Sequence, residues 1–331
     1  MRPVVLLAGW IARVSESRSE FAFIDWIRSR TPAHPSVPIG IGDDAALLRV
    51  GQAGDCLITV DMLMDGVDFR LHETDPSAIG RKALAVSLSD IAAMAGKPFA
   101  AVIALALPKM RGRQVAERIQ AGISALALEF DVALVGGDTN AWDGPLVICS
   151  TVLGTPTSHR PVRRSGAKAG DWILVTGDLG GSILGEHLTF QPRVHEAIAL
   201  HQAARLHAMI DVSDGLAADL HHLLDESGVG AIIRAADLPI SEAAQRIDDL
   251  RSPVEHALGD GEDFELLFTV SPDDGRHLCA KPPGGIRLSH IGEIRAERGC
   301  TLIDTEGRHV PLPPLGWVHS LEDSDPGERG V

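Results

Sequence analysis

The chain has 331 residues, 45% of them hydrophobic, and its 45 acidic and 30 Lys or Arg side chains give a formal net charge of −15 at pH 7. This length exceeds a single typical core and fits two domains, and the acidic surface argues against nucleic acids and anionic membranes as partners. The four cysteines lie far apart without a Cys-x-x-Cys pair, which argues against a zinc knot or a disulfide framework and favours a reducing cytoplasm.

Residues 1–35 are predicted to form an N-terminal extension and a short helix. The first segment, 1–12, could pass for a weak signal peptide, but its apolar run is short and no clear cleavage site follows, so a floppy extension or a mis-set start codon is the favoured interpretation. No stretch approaches the ~20 apolar residues that a membrane span needs. Phe21, Ile24 and Ile27 recur at near-helical spacing before a Pro-rich linker.

The next segment, 36–156, is predicted as an α+β domain. Its predicted strands are 56–60, 100–107, 132–135 and 146–153. One predicted helix starts at Pro76 with Asp75 as its cap and runs to about Ala95. A second, amphipathic helix is predicted over 113–129.

A turn-rich stretch near residue 156 marks the predicted boundary to a second α+β domain over 157–318. Its predicted elements are strands at 172–176, 231–234 and 265–270, a glycine-rich loop at 177–182, and helices near 194–207 and 214–226. The stretch 271–316 has no clear pattern. The acidic tail, 319–331, is predicted to be disordered.

Short acidic segments recur along the chain, and each places an aspartate at a predicted strand end or beside Gly, Ser or Thr. These aspartates are Asp44, Asp61, Asp90, Asp138 and Asp214. Each alone is explained by an ordinary turn. Together they favour a metal site, because close carboxylates repel one another unless cations lie between them, and Mg²⁺ takes carboxylate and phosphate oxygens as ligands. The pattern predicts a magnesium–nucleotide site.

Other cofactor motifs are excluded by the residues at the required positions. The segment 40–45 formally matches the dinucleotide pattern G-x-G-x-x-A, but Asp43 and Asp44 would repel a pyrophosphate, and no long helix follows directly. Lys97 follows a glycine but has proline after it, so there is no Walker A loop. His195-Glu196 lacks the second histidine of a zincin at 199.

Two further segments allow either a functional or a plain structural interpretation. Ser213 or Asp214 is predicted to cap a helix that starts at Gly215, which makes either a phosphate-binding helix end or a cap alone. Glu262 and Asp263 lie on a glycine hinge before a predicted strand. Three basic residues are candidates for phosphate contacts or simply solvated surface: Arg163, Arg164 and Lys168.

Six motifs, in order along the chain, resemble thiamine-monophosphate kinases of the aminoimidazole-ribonucleotide-synthetase-like superfamily. They are Gly-Ile-Gly-Asp-Asp-Ala at 40–45, Ala-Leu-Ala-Val-Ser-Leu-Ser-Asp-Ile-Ala-Ala-Met at 83–94, Gly-Gly-Asp-Thr at 136–139, Arg-Ser-Gly-Ala at 164–167, Asp-Val-Ser-Asp-Gly-Leu at 211–216 and Gly-Glu-Asp-Phe-Glu-Leu at 261–266. The resemblance covers about residues 20–318.

This resemblance implies a two-domain synthetase-like fold and ATP-dependent phosphorylation of thiamine monophosphate to thiamine diphosphate. It also implies a homodimer in which the first-domain sheets pair, with nucleotide bound near the interface. Carried over by position, the magnesium ligands are Asp44, Thr59, Asp61, Asp90, Asp138, Asp211 and Asp214. The nucleotide contacts are Asp138, Arg164 and Ser213, and the substrate contacts are Asp68, Glu262 and Trp317.

The chain departs from the family pattern at several positions. Asp68, Ser87 and Val60 stand where the family usually has His, Asn and Thr, and Asn140 follows the Gly-Gly-Asp-Thr motif where an arginine is usual. Asp68 is the most consequential, because a carboxylate near a substrate phosphate changes the local charge. These departures leave two alternatives open: another ATP-using enzyme of the superfamily, such as an amidine-forming cyclo-ligase, and a catalytically silent nucleotide-binding homologue.

The implied mechanism is direct in-line transfer, in which a phosphate oxygen of the substrate attacks the γ-phosphorus of ATP. Donor and acceptor are both anionic, so charge repulsion is the main cost and magnesium ions offset it. Asp44, Asp138 and Asp214 are then catalytic as holders of cations rather than as general bases, because the acceptor oxygen is already ionised at neutral pH.

Overall fold

The computed structural model describes residues 20–110, 112–157 and 160–318. The predictions for 1–19 and for the tail after 318 lie outside the described residues. Helix α1, Glu20–Arg30, belongs to one unit, and residues 35–317 form another, compact unit that contains every strand described below. Each of the four cysteines is free. Among the described residues, no helix combines the length and apolar composition that crossing a membrane requires.

The first half of the compact unit forms a mixed five-stranded sheet. Its strands are β1 Ala46–Arg49, β2 Asp55–Met64, β3 Gly96–Pro108, β4 Ala133–Trp142 and β5 Val147–Pro156. The spatial order is β1-β2-β5-β3-β4, and the pairs are antiparallel except β3 with β4. The parallel pair is joined through helix α3, Gly112–Glu129, as a parallel connection requires.

Helix α2, Pro76–Ala93, is the central element of the fold. Asp75 caps it as predicted by accepting a hydrogen bond from the Ser77 amide at 2.8 Å. Gly80 and Gly122 let α2 and α3 approach closely, since a Cβ on Gly80 would lie 2.1 Å from the carbonyl oxygen of Ile119. The helix is buried around most of its circumference, so its few polar side chains need partners inside the protein.

The second half forms a mixed seven-stranded sheet with the order β12-β11-β8-β10-β6-β9-β7. Its strands are β6 Trp172–Thr176, β7 Leu206–Asp211, β8 Gly230–Arg234, β9 Leu266–Val270, β10 Leu288–Arg295, β11 Gly299–Ile303 and β12 His309–Pro311. The helices of this half are α4 Glu186–Thr189, α5 Val194–Ala203, α6 Leu216–Ser227, α7 Glu242–Arg246, α8 Pro253–Gly259 and α9 Pro272–Ala280.

The second sheet contributes to two cores, one on each face. Ile173 and Val175 belong to the core that includes α6 and α8, whereas Leu174 belongs to the core that includes α2, α3 and the inner face of the first sheet. This alternation is the period-two pattern of a strand buried on both sides. The α+β fold class predicted from the sequence is confirmed.

Several predicted element boundaries are wrong. Strand β2 continues through Asp61, and β4 continues through Asp138, so neither residue lies in a loop. The Gly-Gly pair before Asp138 serves strand pairing, because a Cβ on Gly137 would lie 1.9 Å from the carbonyl oxygen of Ile103 in β3. Asp90, by contrast, lies within α2, inside the helix predicted to run to about Ala95. The helix predicted to reach 207 ends at Ala203, and β7 follows it.

The predicted boundary at residue 156 falls where the first sheet ends and the connection to the second begins. As a division between domains it stays a prediction, since both sheets belong to one compact unit.

Candidate active site

Three carboxylates from distant parts of the chain meet beside α2. Asp44 follows the turn at Gly42, Asp90 lies near the end of α2, and Asp211 is the last residue of β7. Each offers an oxygen, and these oxygens lie within 4.8 Å of one another. Asp44 and Asp211 are almost fully buried, at 7% and 3% exposure. The structure therefore brings three of the predicted magnesium ligands together.

Strand β2 adds two more predicted ligands on its inner face. Thr59 and Asp61 are two residues apart, so both point toward α2. Thr59 donates a hydrogen bond to Asp90, and Asp61 accepts one from Ser87 at 2.6 Å. The hydroxyl of Ser87 also lies 2.6 Å from that of Ser150 in β5. Ser87 thus orients Asp61 with a hydroxyl.

Arg164 supplies a positive charge to this cluster. Its Nε and Nη2 donate to the same oxygen of Asp44, Oδ1, at 3.1 and 2.6 Å. The other oxygen of Asp44, Oδ2, is buried without a hydrogen-bond partner among the described residues. The neighbouring Asp43 accepts bonds from Nε of Arg163 at 3.1 Å and from the main-chain amide of Arg164 at 2.8 Å. Arg164 is therefore engaged with the carboxylates from both its main chain and its side chain.

The electrostatics of the cluster favour protonation or a bound cation. Burial, together with the charge of Asp44, raises the pKa of Asp211 to about 7. Burial also raises the pKa of Asp61 to about 6, with a further contribution from Asp68. The pKa of Asp90 rises well above its ordinary value, first through burial and then through Asp61 and Asp211. Desolvation and mutual repulsion of buried carboxylates are the physical basis of these shifts.

A divalent cation fits the cluster. Three close carboxylates against one guanidinium leave two negative charges in excess, which one divalent ion balances. Asp44 Oδ2 is a buried oxygen that lacks a donor among the described residues, and hard cations bind such oxygens. Ser89 donates to Asp211 at 2.5 Å and Thr59 donates to Asp90, so hydroxyls orient two of the carboxylates.

Asp138 does not join this cluster within one protomer. In the strand register Asp61 is aligned with Ser150, Ile103 and Gly137, whereas Asp138 belongs to the next row, with Ala104, Cys149 and Met62. Adjacent rows point to opposite faces of a sheet, and β2 and β4 are three strand spacings apart, roughly 14 Å. Asp138 is exposed and lies on the outer face, away from Asp61.

The start of helix α6 is capped differently from the prediction. Its N-cap is Gly215 rather than Ser213 or Asp214. Instead Asp219, inside the first turn, accepts hydrogen bonds from the amides of Asp214 and Gly215, both at 3.1 Å. These two amides are therefore occupied by the protein's own carboxylate. The pKa of Asp219 is raised well above its ordinary value by burial and by Asp214.

The C-terminal aromatic residue is held against this same turn. The Trp317 amide donates to the carbonyl of Asp214 at 2.9 Å, and 58% of the Trp317 surface is exposed. The carbonyl of Ser213 accepts from the amide of Glu262 at 2.6 Å. Main-chain hydrogen bonds therefore link directly the segments that carry four predicted site residues: Ser213, Asp214, Glu262 and Trp317.

Asp68 and Glu262 are joined through a residue that the sequence did not single out, Lys82 on α2. Its Nζ donates to the carbonyl of Asp68 at 2.8 Å and forms an ion pair with Oε1 of Glu262. The Asp68 carboxylate accepts from the Met64 amide at 2.7 Å and so closes its own turn. Val60, another departure from the family, is 62% exposed on the outer face of the first sheet.

Sequence reasoning also missed Ser89 and Asp219. A signal for such residues was present in the sequence of α2. Polar side chains occur there at positions that a helical wheel places in the core, namely Lys82, Ser87 and Ser89, and buried polar groups need partners.

Comparison with known proteins shows which family the chain resembles. The chain matches the AIR synthase related protein N-terminal domain over residues 42–155 and the AIR synthase related protein C-terminal domain over 164–305. It is 41% identical over 313 residues to the thiamine-monophosphate kinase of Rhodopirellula baltica, a match that covers 92% of this chain and 98% of that protein. It is 35% identical over 320 residues to the thiamine-monophosphate kinase of Escherichia coli, covering 90% and 95%.

Solved structures show the same likeness. The structure of AaThiL complexed with AMPPCP and TMP superposes with a TM-score of 0.78 at 30% identity, covering 94% of this chain and 99% of that one. The thiamine-monophosphate kinase of Stenotrophomonas maltophilia gives a TM-score of 0.68 at 36% identity, covering 88% and 98%.

Proposed function

The chain belongs to the thiamine-monophosphate kinases of the AIR synthase related protein family, and on that basis we propose that it transfers the γ-phosphoryl group of ATP to thiamine monophosphate, giving thiamine diphosphate and ADP. The observation that carries this proposal is the cluster of Asp44, Asp90 and Asp211. It gathers two buried carboxylates and one half-buried carboxylate at positions where the family motifs stand, within a fold that resembles the AaThiL structure complexed with AMPPCP and TMP.

We propose that Asp44, Thr59, Asp61, Asp90, Asp211 and Asp214 hold Mg²⁺. When bound, Mg²⁺ neutralises charge on the phosphates of donor and acceptor. The protein's own contribution is to fix the carboxylate oxygens in place: Ser87, Ser89 and Thr59 orient them, and Arg164 balances part of their charge.

The chemical step needs no covalent intermediate on the protein. A phosphate oxygen of thiamine monophosphate forms a bond to the γ-phosphorus of ATP, and the bond from that phosphorus to the bridging β,γ-oxygen breaks, releasing ADP. The acceptor oxygen carries its own negative charge at neutral pH, so no side chain has to remove a proton from it. Arg164 and Ser213 are proposed nucleotide contacts, and Asp68, Glu262 and Trp317 are proposed contacts of the thiamine substrate.

We propose a homodimer formed through the outer face of the first sheet. This face exposes apolar side chains that a monomer would leave in water: Val60 and Met62, both 62% exposed, with Met64 and Val102, both 36% exposed. Asp138 lies on the same face as Met62. Pairing through this face would place Asp138 next to a second copy, so we assign its metal and nucleotide role to the interface.

The relatives from Rhodopirellula baltica and Escherichia coli are both thiamine-monophosphate kinases, which favours this function over that of an amidine-forming cyclo-ligase. A catalytically silent homologue is disfavoured by the intact cluster, in which Ser87 orients Asp61 and Asp68 is used in its own turn. The cytoplasmic location stays a prediction.

The direct test is to identify the product. Purified protein is incubated with Mg²⁺, thiamine monophosphate and ATP labelled in its γ-phosphate, and the products are separated by chromatography. The proposal predicts label in thiamine diphosphate, one label for each ADP formed. Label found only in inorganic phosphate, or no transfer at all, would contradict it.

A further inference from the structure

Lys82 is an unusual residue for its position. It lies on α2 between Arg81 and Ala83, and it is 1% exposed. A buried ammonium group loses its hydration, and a buried ion pair is seldom more stable than a well-packed apolar pair of similar volume. Stability alone is therefore a weak explanation for lysine at this site.

The Lys82 side chain connects two segments that lie far apart in the sequence. Its Nζ donates to the main-chain carbonyl of Asp68 at 2.8 Å and pairs with Oε1 of Glu262. The Asp68 turn is closed by its own hydrogen bonds, since the Asp68 amide donates to the carbonyl of Met64 at 3.0 Å and its carboxylate accepts from the Met64 amide. Lys82 thus anchors Glu262 to a rigid turn.

Glu262 is held in an uncommon backbone conformation. Its φ is +66°, in the left-handed region that residues other than glycine rarely adopt. Phe264 likewise has a φ of +50°. The amide of Glu262 is fixed to the carbonyl of Ser213 at 2.6 Å, and the ring of Phe264 stacks on Phe190 with centroids 4.0 Å apart. Such strain persists where the surrounding structure fixes it, and it is concentrated at functional sites.

The two oxygens of Glu262 have different surroundings. Oε1 is taken by Lys82, whereas Oε2 has no hydrogen-bond partner among the described residues, and 31% of the Glu262 side chain is exposed. One oxygen is therefore fixed by the protein and the other is open to a ligand. A carboxylate presented this way suits an N–H donor or a cationic ring, and thiamine has both an aminopyrimidine and a thiazolium.

We propose that Lys82 is a positioning residue for the acceptor substrate, because it holds Oε1 of Glu262 and the carbonyl of Asp68 so that Oε2 of Glu262 is presented to thiamine monophosphate. This inference rests on the proposed function, in which Glu262 contacts that substrate. Lys82 is 1% exposed and its Nζ is bonded to the protein atoms of Asp68 and Glu262, so its effect is confined to acceptor recognition.

The test is steady-state kinetics of the full-length, Mg²⁺-loaded protein with thiamine monophosphate and ATP varied separately. Lys82→Met is expected to raise KM for thiamine monophosphate by about tenfold or more and to change KM for ATP by no more than about twofold. Lys82→Arg keeps the charge and should give an intermediate KM. Lys281→Met is the matched control: it makes the same substitution at an exposed lysine that follows α9, and it should leave both KM values unchanged.

A double-variant comparison separates positioning from a structural role. If Lys82 acts through Glu262, then adding Lys82→Met to Glu262→Gln should change KM for thiamine monophosphate by no more than about twofold. The double variant also has no unpaired buried charge at this contact, so it is expected to fold even where Lys82→Met alone does not. If Lys82→Met alone does not fold, the inference is tested by comparing Glu262→Gln with the double variant and by Lys82→Arg. Lys82→Arg must then raise KM for thiamine monophosphate but not KM for ATP.

The results that would overturn the role of Lys82 differ from those that would overturn the proposed function. A Lys82→Met or Lys82→Arg protein with an unchanged KM for thiamine monophosphate and a lower melting temperature would show a purely structural role and overturn the inference. An equal rise of KM in the wild-type and Glu262→Gln backgrounds would also overturn it. Both results leave the proposed kinase activity intact, whereas a wild-type protein that makes no thiamine diphosphate overturns the proposed function and this inference together.

Discussion

Arg164 donates two hydrogen bonds to one carboxylate oxygen of Asp44, at 3.1 and 2.6 Å, while the second oxygen of Asp44 is buried and has no hydrogen-bond partner among the described residues. A buried acceptor without a donor is costly unless a ligand satisfies it. The guanidinium therefore fixes Asp44 without saturating it, and an oxygen of Asp44 lies within 4.8 Å of oxygens of Asp90 and Asp211. The Arg164–Asp44 pair therefore leaves one Asp44 oxygen available to a metal ion, and the expected metal dependence follows from this.

Replacing Asp211 by asparagine should separate stability from activity. The amide of the Asp211→Asn side chain keeps an oxygen for the Ser89 hydroxyl but removes one of the repelling charges. We expect kcat to fall by about a hundredfold or more, because a ligand of the cation is lost. The metal-free protein should become more stable at pH 8, by on the order of 1–2 kcal/mol, because a buried charge has been removed.

Thermal unfolding and turnover measured on the same preparation check both parts of this expectation. Asp55→Asn is the control, since Asp55 is an exposed residue on β2 whose contact with Arg49 is 4.0 Å long, and it should change neither quantity. Near-normal turnover of the Asp211→Asn protein in Mg²⁺ would count against the metal cluster.

The metal-free protein should lose stability as the pH rises from 5 to 8. Burial raises the folded-state pKa of Asp61 to about 6 and that of Asp211 to about 7, both above the ordinary value of 3.8. Over this interval the folded protein binds protons that the unfolded chain has released. The free energy of unfolding then falls with pH, by at most about 1.4 kcal/mol per pH unit for each group.

Mg²⁺ should reverse this trend, because it binds the ionised carboxylates of the folded protein only. Chemical denaturation at several pH values, with and without Mg²⁺, measures the effect. The stabilisation by Mg²⁺ should be larger at pH 8 than at pH 5. A metal-free stability that is flat or rises over this range would show that the carboxylates are not held at raised pKa values.

The sequence predicted the local elements better than their assembly. Pro76 behind the Asp75 cap placed the start of α2 correctly, because capping is a short-range interaction. Strand ends were harder to place: the glycines before Asp138 indicate a turn by local rules, yet they serve the close pairing of β4 with β3.

The candidate site was predicted in part for the same reason. The motifs identified Asp44, Asp90 and Asp211, but their meeting depends on β7, which the sequence analysis did not predict. Strand register, a property of the assembled sheet, separates Asp138 from Asp61, and no spacing in the sequence shows it. Lys82 was missed because its partners, Asp68 and Glu262, are distant from each other along the chain.

A charge on the outer face of the first sheet should disrupt the proposed dimer. Val60→Asp places a carboxylate among exposed apolar side chains, while the side chains of Thr59 and Asp61 point to the other face. Light scattering should show a shift from dimer to monomer. Leu128→Asp, on the 85% exposed Leu128 of α3, is the control and should keep the wild-type mass. A wild-type protein that is monomeric at micromolar concentration would contradict the dimer directly.

The interface role of Asp138 predicts complementation between two inactive variants. Asp138→Asn and Asp211→Asn should each be nearly inactive as homodimers. If a site combines Asp211 of one protomer with Asp138 of its partner, each mixed dimer keeps one intact site, and random mixing should restore about a quarter of wild-type activity. If both residues serve the same protomer's site, mixed dimers stay inactive, which an assay of co-expressed chains distinguishes.

The function of the acidic cluster is expected to be Mg²⁺-dependent phosphoryl transfer to thiamine monophosphate. Its most direct test is the rate of ADP release by the wild-type protein, measured with and without thiamine monophosphate across a Mg²⁺ titration. We expect ADP release that requires Mg²⁺ and rises by about a hundredfold or more when thiamine monophosphate is added. An equal rate with and without thiamine monophosphate, or full activity in the presence of a chelator, would contradict this claim.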